Sequence, residues 1–183
     1  QKGLDPIVAI ENSWLIKNSK EAKAAWEWNK EQTAKLAKEL LDNYGVGVEL
    51  WSATSYKNLR EEAMNCERIA RLNPTHPPAI PLVTRLLADA PGPIVAVTDF
   101  MRIVPEQVAR FIPNKTFVPL GTDGMGRSDT REALRDHFEV DMPHVVVTVL
   151  HELALSGQIS KSVVAEAITR YGIQTETLGA LYA

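Results

Sequence analysis

Apolar positions along this chain change their period repeatedly, and those changes set out an order of elements. Ile7-Val8-Ala9-Ile10 is a short, unbroken, β-branched run just after Pro6 and predicts a buried strand. From Asn18 the pattern turns helical. Asn18 and Glu21 have the spacing of a capping pair. Glu31 with Lys35, and Lys35 with Glu39, pair on a wet face, while Leu36, Ala37, Leu40 and Tyr44 share a dry face that stops at Gly45. Val46–Trp51 predicts the second strand. Asn58 with Glu61 then caps a helix whose Leu59, Ala63, Cys66 and Ala70 recur at helical spacing, and Asn73-Pro74-Thr75-His76-Pro77-Pro78 ends it as a loop.

Ile80–Ala90 predicts a further helix, and Pro91-Gly92-Pro93 turns it into the wholly apolar third strand Ile94-Val95-Ala96-Val97. Pro105 suits the first turn of a helix carrying Val108, Phe111 and Ile112, with Pro113 as its stop. Thr116-Phe117-Val118 begins a fourth strand, a glycine loop follows, and a helix runs from about Asp129 to Phe138. Val145–Leu150 has the composition of a strand. However, Asp141 and Pro143 form a helix start, and Val146, Val149, Leu150 and Leu153 keep helical period to Gly157, so the segment is assigned to a helix. Ser160 caps the last helix, with Val164, Ala167, Ile168 and Tyr171 inward and Gly172 at its end. Strands separated by helical crossovers predict an α/β fold, a mostly parallel sheet with helices on both faces.

Length and composition narrow the class. At 183 residues the chain fits one domain, 1–183, and can bury a core without disulfides or metal. A net charge of −3 argues against an electrostatic hold on nucleic acid or anionic membrane. No apolar run reaches the length of a membrane span. The single cysteine, Cys66, excludes an internal disulfide, suits a cytoplasmic location, and falls on an apolar helix face as a core residue. The start, Gln1-Lys2-Gly3, lacks both a signal-peptide pattern and an initiator methionine, so a fragment or processed chain is expected.

Gly121-Thr122-Asp123-Gly124-Met125-Gly126-Arg127-Ser128 carries the strongest chemical signal. It matches a phosphate loop, G-x-x-x-x-G-K-[ST], between a strand and a helix, except that Arg127 replaces the lysine and Asp123 puts a carboxylate in the cradle. Three readings stand: a nucleotide-binding loop, a tight turn whose glycines take positive φ with Arg127 paired to Asp123 or Asp129, and a loop shaped to meet a neighbouring domain. His76, His137, His144 and His151 read as surface or capping residues. His144 and His151 can share a helix face, but the second histidine of H-E-x-x-H is missing. Trp14, Trp26, Trp28 and Trp51 are candidate interface residues; core packing explains Trp51 equally well, and for Trp26 and Trp28 partner contact and packing stand even. The residues display no catalytic triad, carboxylate pair or metal cluster.

Taken together, Gly45–Ser55, Asn65–Arg68, Val97–Met101, Pro105–Val108, Leu120–Arg131 and His137–Asp141 resemble the carboxy-terminal domain of homodimeric bacterial pyruvate dehydrogenases. The resemblance runs from about residue 44 to the end and is most specific over 97–141. It implies the transketolase-type third domain: a three-layer α/β/α fold with a sheet of about five strands, mostly parallel and one antiparallel. It implies an oxidoreductase that uses thiamine diphosphate and magnesium to decarboxylate a 2-oxo acid and to acylate the lipoyl group of a dihydrolipoyl acetyltransferase. In that family the cofactor and the substrate histidines belong to the other domains. This chain is therefore expected to hold no catalytic, cofactor or metal residue, and to be inactive alone. Its implied work is dimerisation and inter-domain support, with Gly121, Asp123, Gly124, Gly126, Arg127, Ser128 and Asp129 as the candidate inter-domain loop. The chain departs from the family at Asn12-Ser13-Trp14, in the long Asn18–Glu31 region and at Met125, which leaves open a paralogue using another 2-oxo acid.

Overall fold

The computed structural model describes residues 7–11 and 20–183, with side chains from Lys30 onward. Four strands form the sheet: β1 (Ile7–Glu11), β2 (Glu49–Ala53), β3 (Ile94–Val97) and β4 (Phe117–Leu120). They lie in the order β2-β1-β3-β4, and every pairing is parallel. Between and after them run α1 (Lys20–Tyr44), α2 (Tyr56–Leu72), α3 (Leu82–Leu87), α4 (Ile103–Glu106), a 3₁₀ turn at Ala109–Phe111, α5 (Arg131–His137), α6 (Met142–Leu155) and α7 (Lys161–Tyr171).

Period-two alternation along β3 divides the core. Val95 and Val97 pack on one side with Leu36 and Leu40 of α1, Val146, Val149, Leu150 and Leu153 of α6, and Ala167 of α7. Ile94 packs on the other side with Ala63 of α2, Val83 and Leu87 of α3, and Val108 and Phe111. Both faces of the central strand are covered, which is why its four residues read as an unbroken apolar run. The fold is the three-layer α/β/α arrangement.

The local starts and stops show which residues compete for the backbone. Asp141 caps α6 and Ser160 caps α7, each through its side-chain oxygen, and Gly172 closes α7 with φ +66°. The β-rich Val145–Leu150 is helical because the cap, the proline and the apolar period outweigh β-branching. Four expectations shift. The second strand begins at Glu49 rather than Val46, because the Gly45 and Val46 amides bond back to the carbonyls of Leu41 and Leu40, and this helix-ending turn uses them up. Ser55, rather than Asn58, caps α2: its Oγ accepts from the Asn58 amide at 3.2 Å. The helix expected over Ile80–Ala90 is limited to α3, whose first amide, Leu82 N–H, is satisfied by Glu62 of α2 at 3.0 Å. The Pro105 helix divides into α4 and the 3₁₀ turn, with Pro105 in the first turn where no amide is needed. The proposed cap at Asn18 lies outside the described residues.

The mostly parallel sheet is as the resemblance implies. The resemblance implies about five strands with one antiparallel; among the described residues there are four, all parallel. The carbonyls of Thr116 and Leu120 face β3, accepting from Ile94 and Thr98 at 2.8 and 2.9 Å. Strand alternation therefore turns Pro119 to the outer edge of β4, where a fifth strand would find no N–H at that position.

Candidate functional site

The carboxyl ends of β3 and β4 are where side chains collect in a sheet of this kind. Thr98 leaves β3 at 2 % exposure, and its Oγ1 accepts from the Phe100 amide at 3.1 Å, turning the chain sharply. The loop after β4 is sewn to that turn. Thr122 N–H donates to Phe100 O at 2.8 Å, and Thr122 Oγ1 donates to Asp99 O at 3.0 Å. Asp123 Oδ2 accepts from both the backbone amide and the Nε of Arg102, each at 2.9 Å. Arg127 therefore does not pair with Asp123; its contacts are Asp129 at 4.0 Å and His137 Nδ1 at 3.3 Å.

Two of the glycines are required by close approach. A Cβ on buried Gly121 would lie 2.4 Å from Phe100 O and 2.7 Å from Arg102 N, both backbone atoms. Gly124 has φ +111°, and a Cβ there would lie 2.2 Å from Ala180 O. Positive φ is needed in this loop only at Gly124; Gly126 is exposed, with nothing near its Cβ direction. The neighbour that Gly124 admits is a strap, Gly179–Tyr182, which shares a cleft with Leu120, Asp123 and Phe138 and is turned by a Tyr182 N–H to Gly179 O bond of 2.8 Å. Sequence reasoning missed this strap. The segment has no apolar period, and its partner loop lies far away along the chain.

Beside the loop, Asp99 accepts from Arg135 at 2.7 Å and stands 3.6 Å from Arg131. Thr130 caps α5 by accepting from the Ala133 amide at 3.3 Å, and Asp129 accepts from the Thr130 amide at 2.8 Å. These bonds start α5 at Arg131, so Gly126, Arg127 and Ser128 do not open a helix. A phosphate loop needs its basic residue and hydroxyl on the first turn of that helix. The phosphate-loop reading falls on this geometry, with Asp123 already committed to Arg102.

The other singled-out residues are placed as follows. His76 is exposed in its proline loop, and His151 is exposed on α6. His144 sits in the first turn of α6 with Nδ1 2.5 Å from Asp141 Oδ1, and the two groups do not bring in His151. Burial alone would lower the His144 pKa, but the hydrogen bond and charge of Asp141, with the charges of Glu139 and Asp136, outweigh it and hold the imidazole above its ordinary value. Cys66 is buried with Sγ 3.4 Å from Glu62; burial first, then that carboxylate, pushes its thiol pKa up and away from nucleophile chemistry. Trp51 packs against the α2–α3 core. The side chains of Trp26 and Trp28, and all of Trp14, lie outside the described residues.

Around the loop and strap the surface is apolar. Phe100, Met101 and Ile103 flank the turn that Gly121 touches, and Met125, Leu181 and Tyr182 continue from Gly124 and the strap, with Met125 80 % and Tyr182 76 % exposed. Both carboxylates of the loop have donors already, Asp123 from Arg102 and Asp129 from the Thr130 amide.

A model of the transketolase-like C-terminal domain matches residues 31–141. The chain belongs to this family. Its transketolase-type C-terminal domain is similar to the pyruvate dehydrogenase E1 component of Escherichia coli (strain K12), with 45 % identity over 140 residues that cover 76 % of this chain and 16 % of that protein. The corresponding protein of Pseudomonas aeruginosa is 44 % identical with the same coverage. That of Mycolicibacterium smegmatis is 46 % identical over 134 residues, 73 % of this chain and 14 % of that protein. The chain thus spans about one sixth of the length of these relatives. No helix among the described residues is long and apolar enough to cross a membrane.

Proposed function

We propose that this chain serves as the third, non-catalytic domain of a pyruvate dehydrogenase E1-type enzyme, and that its glycine loop with the strap is the face that meets the rest of that enzyme. The reading that residues 1–183 form one domain belongs to the same proposal. The observation that carries it is the join of Gly121 and Gly124 to backbone at van der Waals limits, next to exposed Phe100, Met101, Met125 and Tyr182. A surface held that rigidly, with an apolar rim and paired charges, suits docking to a preformed partner.

In the whole enzyme, thiamine diphosphate with magnesium would supply the electron sink for decarboxylating a 2-oxo acid. The residues described here do not fit that group. Asp123, the one loop carboxylate aimed inward, is held by Arg102, and Gly126–Ser128 lie apart from a helix start. This domain's work would be to fix its neighbour's position and to extend a homodimer interface, while the assembled enzyme, in the cytoplasm, acetylates the lipoyl group of a dihydrolipoyl acetyltransferase.

The test has two arms. The isolated chain, titrated with thiamine diphosphate and magnesium in a calorimeter, is expected to give no binding heat and no decarboxylation. In the full-length enzyme, Met125→Glu is expected to weaken dimer or domain association, seen by light scattering and limited proteolysis. Tight cofactor binding by the chain alone would overturn the proposal, as would a full-length Met125→Glu enzyme indistinguishable from the parent.

A further inference from the structure

A second cluster lies away from the loop, at the junction of α5 and α6, and the geometry points to a divalent transition-metal site there, formed by Asp136, Asp141 and His144. One ligand atom from each of the three lies within 4.8 Å of the other two, and it is the group of this kind found among the described residues. Zinc holds carboxylate oxygen and imidazole nitrogen at about 2.0–2.2 Å. Ligand atoms around one tetrahedral ion stand about 3.4 Å apart, so a closure of about 1.4 Å at most by exposed Asp136 brings all three to one ion.

The surroundings favour a cation independently of that convergence. The cleft over the cluster is bounded by the α5–α6 turn and by the end of α7, and no lysine or arginine lines it, while Glu139 and His137 do. Asp136 and Glu139 make no ion pair with any described residue. Walls of one charge sign concentrate counter-ions. The open side leaves positions for water or a fourth ligand.

Imidazole among the donors selects zinc-like ions over magnesium or calcium, which take oxygen. On binding, the ion takes the place of the hydrogen shared by His144 Nδ1 and Asp141 Oδ1, and that proton goes to solvent. Asp141 keeps the amide of His144, 3.1 Å away, as the cap of α6. The ion would then staple α5 to the central core helix.

A plain helix cap explains Asp141 and His144 but gives Asp136 no part, so Asp136 decides between the two. The 183-residue chain, in a non-chelating buffer, is titrated with Zn²⁺ by calorimetry and with Co²⁺ by visible absorption. One equivalent is expected to bind, with Mg²⁺ and Ca²⁺ failing to compete. Asp136→Asn is expected to weaken Zn²⁺ binding about 10-fold or more while leaving the circular dichroism melt of the metal-free chain unchanged, and His144→Ala to abolish it. His151→Ala, on the same helix, is expected to bind as the parent does. Absence of uptake overturns the site, as does binding that survives both Asp136→Asn and His144→Ala, or binding lost equally in His151→Ala.

Discussion

Gly124→Ala tests the join between loop and strap at a single atom. Two separate costs are expected. The first is conformational: at φ +111° an alanine sits where L side chains are rarely found, which costs about 1–3 kcal/mol. The second is steric. The new Cβ would lie 2.2 Å from Ala180 O, against a normal carbon–oxygen approach of about 3.3 Å, so loop and strap must part by about 1 Å. Both atoms belong to the backbone, and no rotamer change relieves the clash. Overpacking of this kind costs about 1–3 kcal/mol, limited by the strap's freedom to lift away. Together the substitution should destabilise by about 2–6 kcal/mol, a fall in Tm of roughly 4–24 °C for a chain of this size.

Urea unfolding of four proteins separates the terms: parent and Gly124→Ala, each with and without the residues after Leu178. Removing the strap abolishes the steric cost and leaves the conformational one. The effect of the substitution should therefore be smaller in the truncated pair by about 1 kcal/mol or more. Equal effects in both backgrounds, within about 0.5 kcal/mol, would refute the reasoning.

Other consequences are measurable on the same chain. Leu150→Ala, at a fully buried position of α6, should cost about 2–5 kcal/mol in urea unfolding with no change of fold by circular dichroism. Asp123→Ala leaves the Arg102 amide and guanidinium without their acceptor and should cost about 1–2 kcal/mol, loosening the loop in hydrogen exchange. Burial, then the Glu39 and Tyr44 side chains, raise the Tyr171 pKa above 10.0. Well below pH 10 both folded and unfolded states keep that proton; as pH rises through 10 the unfolded state sheds it first and stability falls. Tyr171→Phe should flatten the alkaline loss of the urea midpoint between about pH 10 and 12. The Cys66 thiol, raised by burial, should react with a disulfide reagent at pH 8 no faster than the protein opens.

Much of the fold was legible because local signals agreed with one another. Asp141, Pro143 and the apolar period set α6 against its own β-branched composition, and Ser160 and Gly172 bounded α7 as read. Misplacements came where one group answered to a distant one. Glu62 reaches from α2 to start α3, and Asp123 turns to Arg102 instead of Arg127; neither is a spacing in the sequence. The glycine loop was recognisable as a loop with a purpose, and its motif resembled a phosphate cradle closely. Only the three-residue gap before Arg131 and the strap at Ala180 separate the two, and both are facts of three-dimensional placement. The cluster of Asp136, Asp141 and His144 was hidden for a related reason: its members straddle a helix break, so no helical period links them.

Pro119 gives the sheet a direction of growth. A β-sheet edge is a template, and any strand that meets it can extend it, within an assembly or into an aggregate. At β4 an incoming strand would lose a rung of its ladder at the imino nitrogen, with the neighbouring rungs weakened by the gap. Sheet extension at that edge is thereby disfavoured. One residue without an N–H makes that side of the molecule a poorer template for an incoming strand.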